Sequence, residues 1–185
     1  MKPAVPARTV PAFIAYAKFH PGKISMASGG IGTVGHLSGE LFRMMTGVNL
    51  VHVPYRRLAP ALTNLLGGQV QVTFASTAPS IEHVRAGNLR ALAVTTRSEM
   101  LSEVPTVAEF APGYEASTWS GVGAPKGTLA EIIEKLNKEI NVALADHKIK
   151  ARLADLASAQ VGGGDANATW RKDRRGNAGL EPFKV

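Results

Sequence analysis

The chain has 185 residues, 45% of them hydrophobic and 19% charged, with 21 Lys and Arg against 14 Asp and Glu for a formal charge of +7. That is the balance of a globular chain able to bury a core, and no apolar run approaches the roughly 18 residues that span a bilayer. With no cysteine, disulfides, thiolate metal sites and cysteine nucleophiles are excluded.

In chain order, Thr9 precedes Val10, Phe13, Ile14, Ala17 and Lys18, which predicts a helix closed by His20-Pro21-Gly22, because a proline disfavours helical geometry at the residue before it. Ile24 to Ala27 reads as a strand, and a helix follows from Thr33 to about Thr46 with Gly47 as its stop. On that helix Leu37, Leu41, Met44 and Met45 recur at helical spacing and are expected to pack on a sheet. Val48 to Pro54 is a second strand, Leu58 to Leu66 a helix stopped by Gly67-Gly68, and Val70 to Phe74 a third strand. A short helix from about Ala78 to Ala86 and an apolar run from Leu89 to Val94 complete the first half. Strands alternating with helices at this pitch imply βαβ units and a mostly parallel sheet.

The second half has a different texture. Thr96 to Pro112 reads as loop with a helical turn after Thr106, and Tyr114 to Ala124, which contains Trp119, as strand. Thr128 is expected to cap the longest helix, whose stripe is Leu129, Ile132, Ile133, Leu136, Ile140 and Leu144. Glu131 with Lys135 and Glu134 with Lys138 are i,i+4 pairs in the favourable order. A helix from His147 to Leu156 follows, and beyond Gly162 the pattern fades into a polar tail. The tail holds the one basic cluster, Arg171-Lys172-Asp173-Arg174-Arg175 beside Trp170. No groove-binding motif accompanies it, so it implies a general attraction for anions and no nucleic-acid partner.

The most informative segment is Ile24 to Leu37, a strand, a turn holding Gly29, Gly30 and Gly32, and the start of an amphipathic helix capped by Thr33. Such a turn presents backbone N–H groups at a helix mouth, where an anion can sit without a lysine or arginine; glycine-bearing turns also connect strand to helix where nothing binds. The segment matches neither G-x-x-x-x-G-K-[ST] nor G-x-G-x-x-G, which favours a small organic anion over a nucleotide. His36 and Glu40 lie four apart near Ser28, yet no G-x-S-x-G elbow or third metal ligand accompanies them, so a hydrolase is disfavoured and neither metal nor cofactor is expected.

Ser28-Gly29-Gly30-Ile31-Gly32-Thr33-Val34-Gly35-His36-Leu37, His52-Val53-Pro54-Tyr55, Leu65-Leu66-Gly67-Gly68-Gln69-Val70, Leu89 to Thr95 and Val104 to Glu109 together resemble the receptors of tripartite tricarboxylate transporters, the Bug family of extracytoplasmic solute-binding proteins. The likeness runs from about Thr9 to Val161. It implies an α/β, periplasmic-binding-protein-like (Venus flytrap) fold, with one complete βαβ lobe of mostly parallel sheet plus part of the second lobe. On that reading residues 1–22 are a lead-in helix from an incomplete first lobe, 23–94 the complete ligand-binding lobe, 95–164 the return to the first lobe, and 165–185 a weakly ordered basic tail.

The resemblance implies a receptor for a small carboxylate, tricarboxylate or related, that passes its ligand to membrane permease subunits. It assigns ligand contacts to Ser28, Gly29, Gly30, Gly32, Thr33, His36, Tyr55 and Ser76. Ala75-Ser76-Thr77 stand where relatives often carry an acidic residue, which favours a carboxylate lacking an amine. Met1 to Arg8 lack the apolar segment of a secretory signal, so a periplasmic location rests on the family alone. Relatives carry a further half-lobe before the position of Thr9, so the chain reads as a truncated member. Weak or absent binding by the chain alone, and self-association through exposed sheet edges, are therefore expected. The other reading is a structural or interaction fragment without ligand.

Overall fold

Four helix ends in the first half are set by residues whose chemistry suits a cap or a stop. In a computed structural model, which describes residues 1–97, 101–117, 122–125, 127–155, 171–172 and 178–179, Thr9 accepts from the Ala12 amide to cap α1 (Val10–Phe19). Thr33 caps α2 (Val34–Thr46) by accepting from His36 N–H at 3.4 Å, and Gly47 closes that helix in the left-handed conformation at φ 68°. Gly68 does the same after α3 (Leu58–Gly67), at φ 82°. Between them lie β1 (Ile24–Ser28), β2 (Leu50–Pro54) and the two-residue β3 (Val72–Thr73), followed by α4 (Thr77–Arg85).

The three strands form one parallel sheet in the order β2-β1-β3. Met26 is level with His52 on one side and Val72 on the other. Side chains alternate across the central strand, so Ile24 and Met26 enter a core with Val10, Phe13, Ala17, Phe42 and Leu50, while Ala27 enters a second core with Ala61, Leu62, Leu65, Val70 and Leu89. Helices thus cover both faces, as in doubly wound folds, and the chain reverses direction at β1. The loops after all three strands emerge at the same, carboxyl, edge of the sheet.

Three expectations are corrected. Leu37, Met44 and Met45 do not pack on the sheet; they are 57%, 80% and 38% exposed, and α2 buries Ser38, Gly39 and Phe42 instead. The reason is closeness: a Cβ at Gly35 would overlap the Phe74 carbonyl and one at Gly39 the Met26 thioether, so the helix meets the sheet on its smallest residues. The apolar run from Leu89 to Val94 forms no strand; Leu89 is buried and the Arg90 amide donates to the Met1 carbonyl at 2.8 Å. Of Tyr114 to Ala124, the described residues 114–117 and 122–124 are not strand either, and Trp119 lies outside the described residues. Thr128 does not cap the long helix; its hydroxyl donates to the Pro125 carbonyl at 2.8 Å.

By internal contacts the chain divides into two units, Met1–Ser120 with Asp155–Ala159, and Gly121–Ala154 with Gln160–Val185. The first holds the sheet and both cores. The described part of the second includes α5 (Ala130–Ala145), none of whose residues is buried, all but the last residue of α6 (His147–Asp155), and the antiparallel pair β4 (Arg171–Lys172) and β5 (Ala178–Gly179). The four ion pairs among the described residues do not include Glu131 with Lys135 or Glu134 with Lys138.

Candidate functional site

The carboxyl edge of the sheet gathers most residues singled out from the sequence. Ser28 ends β1, the glycine turn follows, Tyr55 directly follows β2, and Ser76 stands just after β3 at the start of α4. Gly30 and Gly32 have φ of 136° and 79°, values that side-chain-bearing residues rarely adopt. A Cβ on Gly30 would also come 3.3 Å from the Tyr55 carbonyl.

Within the turn most polar groups serve each other. Ser28 is fully buried, and its hydroxyl accepts from the Gly30 amide at 3.2 Å and lies 2.7 Å from His52 Nε2. The Gly30 carbonyl accepts from the Thr33 hydroxyl at 2.7 Å and the Thr33 amide at 3.3 Å. Gly32 N–H donates to His36 Nδ1 at 3.1 Å. The turn therefore differs from expectation in which donors it leaves open. The amides of Gly30, Gly32 and Thr33 are internally satisfied, whereas those of Ile31, Val34 and Gly35 donate to no acceptor among the described residues. Val34 and Gly35 are the first two residues of α2 and carry donors that a helix start orphans, while Ile31 lies in the turn two residues before the cap Thr33.

Behind the turn stands a pair of histidines. The His36 and His52 rings lie 4.2 Å apart at 30°, and Glu40, which is bidentate to Arg43 at 2.7 and 2.8 Å, lies 4.0 Å from His36 Nε2. Partial burial, and then the neighbouring His36, hold the His52 imidazole below its ordinary pKa; Glu40 opposes this and Arg43 adds to it. Tyr55 is half-buried against the second core, and Ser76 is exposed.

Three residues at this edge were not singled out from the sequence. His52 shares strand parity with the buried Leu50 and so faces α2; that alternation was the available signal. Arg56 and Arg57 follow Tyr55, are exposed, and have no ion-pair partner among the described residues. The Arg57 backbone abuts the turn, since a Cβ on Gly29 would lie 3.5 Å from the Arg57 carbonyl carbon. An open depression of ≈ 410 Å³ runs beside α2, lined by Val34, Leu37, Ser38, Leu41, Glu115, Ala116 and Ser117. Its one ionisable wall is acidic, so it does not favour a carboxylate.

A parallel sheet wound in both directions from its central strand, with a glycine turn opening at its carboxyl edge, defines a periplasmic-binding-protein-like lobe. The match to the family described as "Tripartite tricarboxylate transporter family receptor" spans residues 1–169, and the chain belongs to that family. It is 41% identical over 153 residues to Protein BugT of Bordetella pertussis, covering 81% of this chain and 47% of that protein. Among solved structures it is similar to "R. palustris Rpa4515 with adipate" at 38% identity and TM-score 0.84, covering 89% of this chain and 56% of the other. It is also similar to the periplasmic binding protein BugD, at 36% identity and TM-score 0.80, covering 88% and 55%. The chain spans about half the length of the curated relatives it matches. The family is one of receptors, which agrees with the sequence reading against catalysis.

Proposed function

We propose that the chain carries the anion-gripping lobe of a periplasmic receptor for a small carboxylate, whose ligand is handed to the permease of a tripartite tricarboxylate transporter. The observation that carries the reading is the set of open amides of Ile31, Val34 and Gly35 at the mouth of α2, on the carboxyl edge of the central strand. A carboxylate at a helix start gains about 0.3–1 kcal/mol from the helix dipole, and up to about 2 kcal/mol when partly buried. Gly29, Gly30 and Gly32 let the backbone approach the ligand, with Ser28, Thr33 and His36 holding the turn. Tyr55, Ser76 and the unpaired Arg56 and Arg57 stand on the same edge to meet the rest of the ligand. The family match, and the adipate bound by the similar R. palustris protein, support a carboxylate.

The experiment is an amide NMR titration of the chain with adipate and citrate, which detects weak as well as strong binding. The expected result is saturable shifts at Ile31, Val34 and Gly35. Shifts confined to other parts of the chain, or none up to high ligand concentration, overturn the reading. Self-association through the outer edge of β2, where Val51 is 44% exposed, belongs to the same picture; sedimentation that stays monomeric over a wide concentration range removes it.

A further inference from the structure

Each imidazole of the histidine pair stands at a bond that shapes the glycine turn. Gly32 N–H points at His36 Nδ1, and a ring nitrogen accepts only when it carries no proton. His36 is therefore neutral in this conformation, with its hydrogen on Nε2, on the side of Glu40. The Ser28 hydroxyl has two acceptors in reach, the Gly30 carbonyl at 3.1 Å and His52 Nε2 at 2.7 Å. Thr33 already donates twice to the Gly30 carbonyl, which fills both of its lone pairs, so the Ser28 proton goes to the shorter contact and His52 is an acceptor too. Both rings thus hold the turn through an unprotonated nitrogen, one at Gly32 and one at Ser28.

We propose that His36 and His52 are positioning residues of the glycine turn, holding it by neutral imidazoles, so that proton uptake by the pair unlatches the turn and weakens carboxylate binding. A proton on His36 Nδ1 sets N–H against the Gly32 N–H, and one on His52 Nε2 takes away the acceptor of the Ser28 hydroxyl. Charging both rings also places two cations 4.2 Å apart. The charged groups facing the pair are Glu40 and Arg43 from α2; Glu40 favours a charged ring at His52, and Arg43, which is paired with it, opposes that by a smaller amount. From β1 the pair meets the Ser28 hydroxyl, and from β2 the second ring is His52 itself. The lowered pKa of His52 fits a ring held neutral at neutral pH. Once the turn is released its amides are no longer preorganised, and ordering them again on binding reduces affinity.

The ligand-aimed part of this inference rests on the function proposed above, so its test has two arms. In the first, the ligand-free chain is titrated by NMR between about pH 8 and pH 5, the window in which histidines change charge. The Gly32 amide resonance is expected to move together with the imidazole signals of His36 and His52. In His36→Gln, whose amide oxygen accepts the Gly32 N–H at every pH, that movement is expected to vanish. In the second arm adipate affinity is compared at the two ends of the range; the wild-type chain is expected to lose about fivefold to tenfold more than His36→Gln, so that ionisation of adipate itself cancels. A Gly32 amide that stays still while both histidines titrate overturns the proposal, whether or not His36→Gln folds. Equal or tighter wild-type binding in acid overturns it as well. If Gly32 moves but adipate never binds, the positioning role stands and the carboxylate reading falls.

Discussion

The Tyr114 hydroxyl donates to the Ser38 carbonyl at 3.0 Å across 76 residues of chain, inside the core between α2 and the segment after the turn at Val107–Glu109. It is a strap: Tyr114 is 3% exposed and its ring joins Phe13, Phe42 and Val107 in one cluster. Because the strapped carbonyl lies on the buried side of α2, the bond helps hold that helix, and with it the glycine turn, against the sheet.

Tyr114→Phe keeps the ring and removes the bond, so thermal or urea unfolding should show a loss of about 0.5–1.5 kcal/mol. The pH dependence is a sharper check. Burial raises the Tyr114 phenol above its ordinary pKa. The folded state therefore retains its proton where the unfolded state has begun to lose it. Stability from this group is complete below the unfolded value near 10 and is lost as pH rises from there towards the folded value. The Phe variant should lack that alkaline decline; identical alkaline profiles for both proteins would refute it.

Gly35 and Gly39 face the sheet on α2, and their substitutions should differ. At Gly35 a methyl group meets the backbone carbonyl of Phe74, which cannot move without shifting the strand's exit. Gly35→Ala is expected to cost about 1–3 kcal/mol, net of the helix propensity that alanine adds. At Gly39 the obstacle is the end of the Met26 side chain, which is flexible although fully buried. Gly39→Ala should fall close to neutral, because about 1 kcal/mol of helix propensity offsets the repacking. Urea midpoints that rank the two in the opposite order would show that α2 docks otherwise.

Arg90 clips the first residues to the body of the fold, its Nη1 donating to the carbonyl of Ala7 at 2.8 Å and more distantly to those of Val5 at 3.4 Å and Pro3 at 3.5 Å. Hydrogen bonds from a charged donor contribute about 1.5–3 kcal/mol, so Arg90→Ala should lose stability in that range and expose residues 1–8 to limited proteolysis. Arg90→Lys, which lacks the planar fork, should fall between. Unchanged cleavage near Ala7 in the alanine variant would contradict the clip.

The succession of elements from Thr9 to Ala86 was legible in the sequence because its signals are local: Thr9 and Thr33 as caps, Gly47 and Gly68 as stops, Pro54 at the end of β2. The packing side of α2 was not. Its apolar side chains advertised one face while its glycines and Ser38 took the sheet, since a close approach selects small residues that carry no hydrophobic signal. Thr128 likewise carried the chemistry of a cap but bonds back to Pro125, because a hydroxyl takes whichever acceptor the chain brings to it.

The glycine turn divides along the same line. The order of residues alone determined that a strand would end in a flexible, anion-accepting turn at the start of a helix, and that the chain would wind into a parallel sheet, because glycine torsions, caps and periodicity act over a few neighbours. Which amides of that turn remain open was decided by the folded turn's own bonds among Ser28, Gly30, Thr33 and His36, and that His52 comes to stand against His36 and Ser28 was decided only by the pairing of β1 with β2, which brings together side chains 24 residues apart. Contacts of that range follow from strand register and from the closeness of two packed surfaces, and neither quantity is written in any short stretch of sequence.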